Sequence, residues 1–313
     1  MKLKAILSVF LFVSMCFATS AAALSVSPLI DTTGGSTLFS DNSADYFINV
    51  DGSVSGGGTA TVTTGDILFT MVGINTIGDT TIGSGTSYNE VTGFTAVKIA
   101  TASDVDLGPA GPDDSFGTQA IDLFQYTATP LTAADAIYFN WATGQINTDG
   151  AGAAEFTFAT DGKTTNDGNF LGWVFEDAGR DYNRDGTVQA GIDSAVGGDL
   201  RLWLDMSNAG DFLSVIAPFD LGDFGSIPNS TAIDNANIAL DATIRDYDWG
   251  SLIFGSNITG GNGGFSSPTD SSSWPAFDNL DFTLTASIPE PATLALFGIG
   301  LLSIAAVGRR RKG

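Results

Sequence analysis

Asp181, Asn183 and Asp185 stand at alternate positions within the stretch Glu176 to Asp193, and Gly186 and Thr187 follow directly. Side-chain oxygens at that spacing, joined by the backbone carbonyl of Thr187, make the kind of shell that Ca2+ takes up as a hard cation. Gly186 permits a tight turn, and Val188 supplies an apolar anchor. Counted from Asp181, the twelfth place holds Ile192, and Asp193 arrives one residue late. Asp193 is therefore the candidate closing ligand, with Glu176 or Asp177 as alternatives from upstream. The plainer use of the same residues is an Asp-rich surface loop held by Asx turns.

The order Asp-x-Asn-x-Asp-Gly resembles the calcium loop of EF-hand and dockerin-type repeats. The departure at Ile192, and the lack of an expected amphipathic helix on either side, make the resemblance one to an isolated loop. What it implies is a structural calcium ion that pins a loop.

A second chemistry lies in Asp199-Leu200-Arg201-Leu202-Trp203-Leu204-Asp205. Strand alternation puts the three leucines on one face and Trp203 on the other, beside Arg201 and Asp205. An indole on a polar sheet face can stack on a sugar ring, which makes Trp203 the candidate ligand-binding residue. Cover by a second sheet or loop is the competing expectation. Trp249 is a weaker candidate of the same kind. Paired carboxylates can hydrolyse glycosidic bonds, but a body with 34 acids brings some pair together by chance. Only Glu90, Glu155 and Glu176 are glutamates before the tail, and no residue is assigned a catalytic role. Asp161-Gly162-Lys163-Thr164 lacks the first glycine and the helix of a phosphate loop and reads as a turn.

The chain contains no histidine, and Cys16 is its only cysteine. That excludes Ser-His-Asp and Cys-His catalysis and His-ligated zinc. Against 35 acidic residues stand 12 basic ones, a formal charge of −23, so nucleic acid is not an expected partner. At 43% hydrophobic and 15% charged, the chain has the apolar surface to build a core.

These residues sit between two addresses. Lys2 and Lys4, the apolar run from Ala5 to Met15 and the small residues Ala21-Ala22-Ala23 read as a signal peptide over 1–23, removed on export. At the other end, Pro289-Glu290-Pro291 precedes an uncharged stretch, 292–308, and then Arg309-Arg310-Arg311-Lys312. As a helix the stretch spans roughly 26 Å, enough for a transmembrane crossing with the basic tail cytoplasmic. This order over 288–313 resembles the PEP-CTERM sorting signal of Gram-negative bacteria that make exopolysaccharide. The resemblance implies processing near Pro289-Glu290-Pro291 by an exosortase, transient anchoring in the inner membrane and release to the cell surface or outside. It carries location rather than activity. Removal of both addresses leaves 6 basic and 34 acidic residues, a net charge of −28.

Residues 24–287 have the texture of an all-β domain, a β-sandwich of jelly-roll-like type. Period-two runs at Glu155–Phe158 and Asp281–Ala286, runs that are shorter or buried on both faces at Ile67–Val72 and Ala136–Phe139, and Asp-Gly turns at 51, 149, 161, 167 and 185 supply the strands and their punctuation. One domain is expected, with a split near residue 165 as the alternative. The function expected is a structural or adhesive role associated with exopolysaccharide, without covalent catalysis. A calcium-stabilised carbohydrate-binding module is the alternative, and a secreted carboxylate-dependent hydrolase is the third reading.

Overall fold

A computed structural model describes residues 23–31, 35–50, 63–83, 85–104, 114–116, 119–121, 124–160, 168–179, 182–184, 186–206, 212–217, 233–247, 257–266, 274 and 276–285. The segment expected as a signal peptide, 1–23, lies outside the described residues but for Ala23, and so do the stretch 292–308 and Trp249. No helix among the described residues is long and apolar enough to cross a membrane.

The strands in chain order are β1 (Ser36–Ile48), β2 (Ile67–Ile77), β3 (Thr80–Thr81), β4 (Glu90–Asp104), β5 (Asp114–Phe116), β6 (Gln119–Ile121), β7 (Phe124–Pro130), β8 (Phe139–Asn140), β9 (Gln145–Ile146), β10 (Phe156–Thr157), β11 (Phe170–Asp177), β12 (Asp199–Asp205), β13 (Phe212–Ala217), β14 (Ile233–Tyr247), β15 (Asn257–Ser266) and β16 (Ala276–Thr285). Among the described residues an α-helix, α1 (Val188–Ala195), lies between β11 and β12, and 3-10 turns occupy Ser27–Leu29 and Ala133–Ile137.

The all-β reading holds, and the sheet is antiparallel and curled. Among the described residues, β12, β11, β4, β2, β1, β16, β15 and β14 pair in that order, and β14 pairs back to β12, so the circuit closes. Closure removes the free edges through which an open sheet recruits further strands. The two longest strands carry partners in succession along one edge. Residues 90–95 of β4 pair with β11 and 97–104 with β7, while β14 pairs with β13 and then with β12. A pair formed by β7 and β13 thus spans the gap beside β11 and β12.

Alternation along each strand sorts apolar side chains onto two faces. Inside the curl, Phe39, Ile74, Val91, Val97, Leu171, Val174, Leu202, Leu204 and Leu284 form a cluster drawn from strands round the circuit. Val26 and Ile30, from the N-terminal segment, belong to the same cluster. On the outer face, Phe69, Met71, Phe94, Trp173 and Phe175 lie beneath α1 and the segment 131–160, which contribute Ile192, Phe139, Trp141 and Phe158. Burial of each such side chain is worth about 1.5–3 kcal/mol.

Three local expectations are corrected. Of the run Ala136–Phe139 only Phe139 is strand, while Ala136 and Ile137 end a 3-10 turn that starts where Asp135 accepts from the Thr132 N–H (2.9 Å) and hydroxyl (2.7 Å). Of Glu155–Phe158, only Phe156–Thr157 is strand. Ile67–Val72 is not buried on both faces, since exposure alternates from Ile67 to Val72 within β2.

Candidate functional site

The loop after β11 is fastened to the sheet through the residues between the predicted ligands. Tyr182 lays its ring against Gly73 of β2, where a Cβ would collide with it, and its hydroxyl donates to the Met71 carbonyl at 2.9 Å. Its N–H donates to the carboxylate of Glu90. The Arg184 guanidinium sits 4.8 Å over the Phe277 ring, a cation–π contact. Asn183 is exposed, with its N–H on the Ser194 hydroxyl at 3.1 Å. A Cβ at Gly186 would lie 3.0 Å from the Asn183 amide nitrogen, a tight approach to the end of an exposed side chain.

An amphipathic helix does follow the loop, which corrects the expectation of none. Thr187 is its N-cap: the hydroxyl accepts from the Ala190 N–H at 3.2 Å and the carbonyl from the Gly191 N–H at 3.0 Å. Val188, Gly191, Ile192 and Ala195 face inward, and Gly191 brings the helix close to Met71 and Trp274, 2.8–2.9 Å from where its Cβ would be. The late carboxylate now has a physical reason. The twelfth place, Ile192, is fully buried on the inner face, whereas Asp193 is exposed and accepts from Gln189 at 2.9 Å. Asp181 and Asp185 lie outside the described residues. Among the described residues no three His, Cys, Asp or Glu side chains gather as a metal shell, and Asn183, Thr187 and Asp193 are the predicted ligands whose positions are defined.

Glu176 is not a ligand reserve for this loop. Its carboxylate is buried and joins four segments. One oxygen accepts from the Val26 N–H (2.8 Å) and the Asn89 amide (2.9 Å), while the other meets the Ser25 hydroxyl (3.2 Å) and Arg201 Nε (2.9 Å). Asp177 accepts from the Gly179 N–H at 2.9 Å. Sequence reasoning missed this hub because its members lie far apart along the chain. The rarity of glutamate in an aspartate-rich body was the available signal: Glu90 and Glu176 are both buried.

Trp203 is half-buried on the outer face, directly opposite Trp173 across the β11–β12 ladder. Its ring meets Phe170 edge-on at 5.2 Å and Trp173 at 6.4 Å. The three leucines do not share a face. The β11–β12 register slips between Val174 and Phe175, leaving Arg201 as an extra residue and turning Leu200 to the side of Trp203. Leu202 and Leu204 remain inside.

Two titrations follow from packing. Burial would raise the Asp135 carboxyl, but the Lys98 ammonium at 2.6 Å and the Thr132 donors outweigh it and hold the group below its usual range. Burial among Phe69, Phe156 and Trp274 raises Tyr46, with the Glu155 carboxylate adding to the shift.

No curated protein and no solved structure matches the chain. A family model, that of the PEP-CTERM protein-sorting motif, matches residues 287–312, a span that takes in Pro289, Glu290, Pro291, Arg309, Arg310 and Arg311. These sorting residues lie outside the described ones, four residues beyond the end of β16 at Thr285. The chain thus carries a curled β body ahead of a C-terminal PEP-CTERM sorting motif, the mark of an exported protein processed by an exosortase.

Proposed function

We propose that this protein is released to the cell surface or extracellular matrix and acts there as a structural or adhesive component associated with exopolysaccharide. The observation that carries the reading is the joining of an exosortase motif to a body whose buried carboxylates serve the framework. Glu176 ties the N-terminal segment to β11 and β12, and Asp135 ties the covering segment to β4 through Lys98. The body's charge of −28 keeps it soluble and disfavours strongly anionic partners. Fractionation of cells carrying the wild-type chain or a Pro289-Glu290-Pro291 replacement tests the reading, together with co-sedimentation of the released protein with isolated exopolysaccharide. Wild-type protein is expected in the matrix fraction and bound to polysaccharide, with the variant retained at the inner membrane. Released protein with no matrix enrichment and no polysaccharide binding defeats the assigned role.

A second reading, a calcium-stabilised carbohydrate-binding module, is favoured by the loop–helix junction, where Tyr182 and Arg184 turn to the body and Asn183 to solvent. Asp181, Asn183, Asp185, Thr187 and Asp193 would hold the ion, and Trp203 would meet the sugar. Glycan-array binding that disappears both with chelator and on Trp203→Ala supports it, and binding indifferent to both changes rejects it.

A further inference from the structure

Both membrane-addressed ends of the chain leave the body at one end of the curled sheet. Because the circuit is antiparallel, its strand termini sort into two sets. The end of β16 lies with the start of β1, where Thr285 pairs with Ser36, and with the start of β15, where Thr285 pairs with Asn257. Phe39 of β1 pairs with Ile77, and Gly78 donates to the Leu38 carbonyl at 2.8 Å, so the turn after β2 belongs to the same set. The start of β4 joins it through Ile74 and Val91. The N-terminal segment docks here too. The Leu24 N–H donates to the Ser87 carbonyl and the Asn89 N–H to the Leu24 carbonyl, each at 2.8 Å.

Reach limits what this arrangement permits. Three residues separate Thr285 from Pro289, and a fully extended chain gains at most about 3.6 Å per residue. The processing motif therefore lies within roughly 15 Å of a strand held on both sides by β1 and β15. Leu24 is placed just as tightly after the expected signal-peptide junction.

We propose that this end of the ring, formed by the start of β1, residues 78–83 and 85–89 and the end of β16, is the surface on which the anchored precursor stands against the lipid bilayer. Exosortase release then frees it. The body, at −28, is repelled by anionic lipid, so the short tether and not charge attraction holds the contact, and the contact ends with cleavage. The proposal rests on the transient anchoring that the sorting motif implies.

The full chain, with Pro289-Glu290-Pro291 replaced to block processing and Cys16→Ser to remove its only thiol, supplies the test. Asp79→Cys places a fluorescent label in the exposed turn at the proposed bilayer end, and Ser87→Cys a second one there. Thr64→Cys places a label at the exposed opposite end of β2, about 35 Å of strand away. The labelled chains are reconstituted into phosphatidylcholine–phosphatidylglycerol vesicles that carry a headgroup nitroxide lipid. Quenching is expected to be several-fold stronger at 79 and 87 than at 64, and to even out when a long Gly-Ser insert follows Thr285. Equal quenching at the three sites without the insert, or stronger quenching at 64, overturns the proposal. Vesicle flotation reports the anchor separately: a chain that fails to float removes the anchoring itself, whereas a floating chain with equal quenching removes only the orientation.

Discussion

The Tyr182 ring packs against Gly73, so a residue of the candidate calcium loop occupies the space that any side chain at position 73 of β2 would fill. The contact sets the height of the loop above the sheet, and the bond from the Tyr182 hydroxyl to the Met71 carbonyl fixes its direction. Gly73→Ala is expected to cost about 1–3 kcal/mol by forcing the ring away. Tyr182→Phe, which keeps the ring and loses one hydrogen bond, is expected to cost about 1 kcal/mol. Urea unfolding of both variants checks the order, and a Tyr182→Phe cost as large as that of Gly73→Ala rejects the packing explanation.

If calcium occupies the loop, its effect is read as stability. Binding to the folded state alone raises the melting temperature by mass action. Several degrees are expected between calcium and chelator, and Asp181→Ala with Asp185→Ala should erase the difference. Identical melting in calcium and chelator rejects the ion. Asp193→Ala separates the closing ligand from the helix contact to Gln189: a shift in calcium midpoint marks a ligand, and a shift in stability alone marks the contact.

Glu176→Ala should be among the most damaging single changes, by about 3–5 kcal/mol, because it leaves the half-buried Arg201 and the donors of Val26 and Asn89 without their shared acceptor. The N-terminal segment depends on that carboxylate, so protease cutting near residues 24–30 should appear before global unfolding. Normal resistance there in a folded variant contradicts the role given to Glu176.

The ion pair of Lys98 and Asp135 gives a pH dependence of defined sign. The folded Asp135 group is held below its reference value of 3.8, so the stability it confers is complete above about pH 4. It is lost as pH falls through the lowered folded value. Lys98 is 36% exposed, so solvent screening keeps the effect modest. Asp135→Asn should flatten the acid limb of the stability curve and leave the slope near neutrality unchanged. An acid limb as steep in the variant as in the wild type contradicts the assignment.

What the sequence disclosed divides by the range of the interactions involved. β16 was legible from local alternation, β2 as a run of apolar residues, and the C-terminal sorting motif from residue order alone. The face of Leu200 was not, because one extra residue at Arg201 reverses strand parity, and only a partner strand reveals a bulge. Helix α1 escaped notice because its eight residues make little more than two turns, with Gly191 in its apolar stripe. Its start signal is nonetheless present in Thr187, whose hydroxyl caps the helix while its carbonyl is the expected ligand. The hub at Glu176 was beyond local reading, since Val26 lies 150 residues away in sequence.

Export of the body, its tethering at the membrane by the PEP-CTERM motif and its release are read from the intact mass and terminal peptides of the protein recovered outside the cell. The expected chain begins at Leu24 and ends near Pro289, without residues 292–313. Recovery outside the cell of a chain still carrying Arg309-Arg310-Arg311 would contradict it.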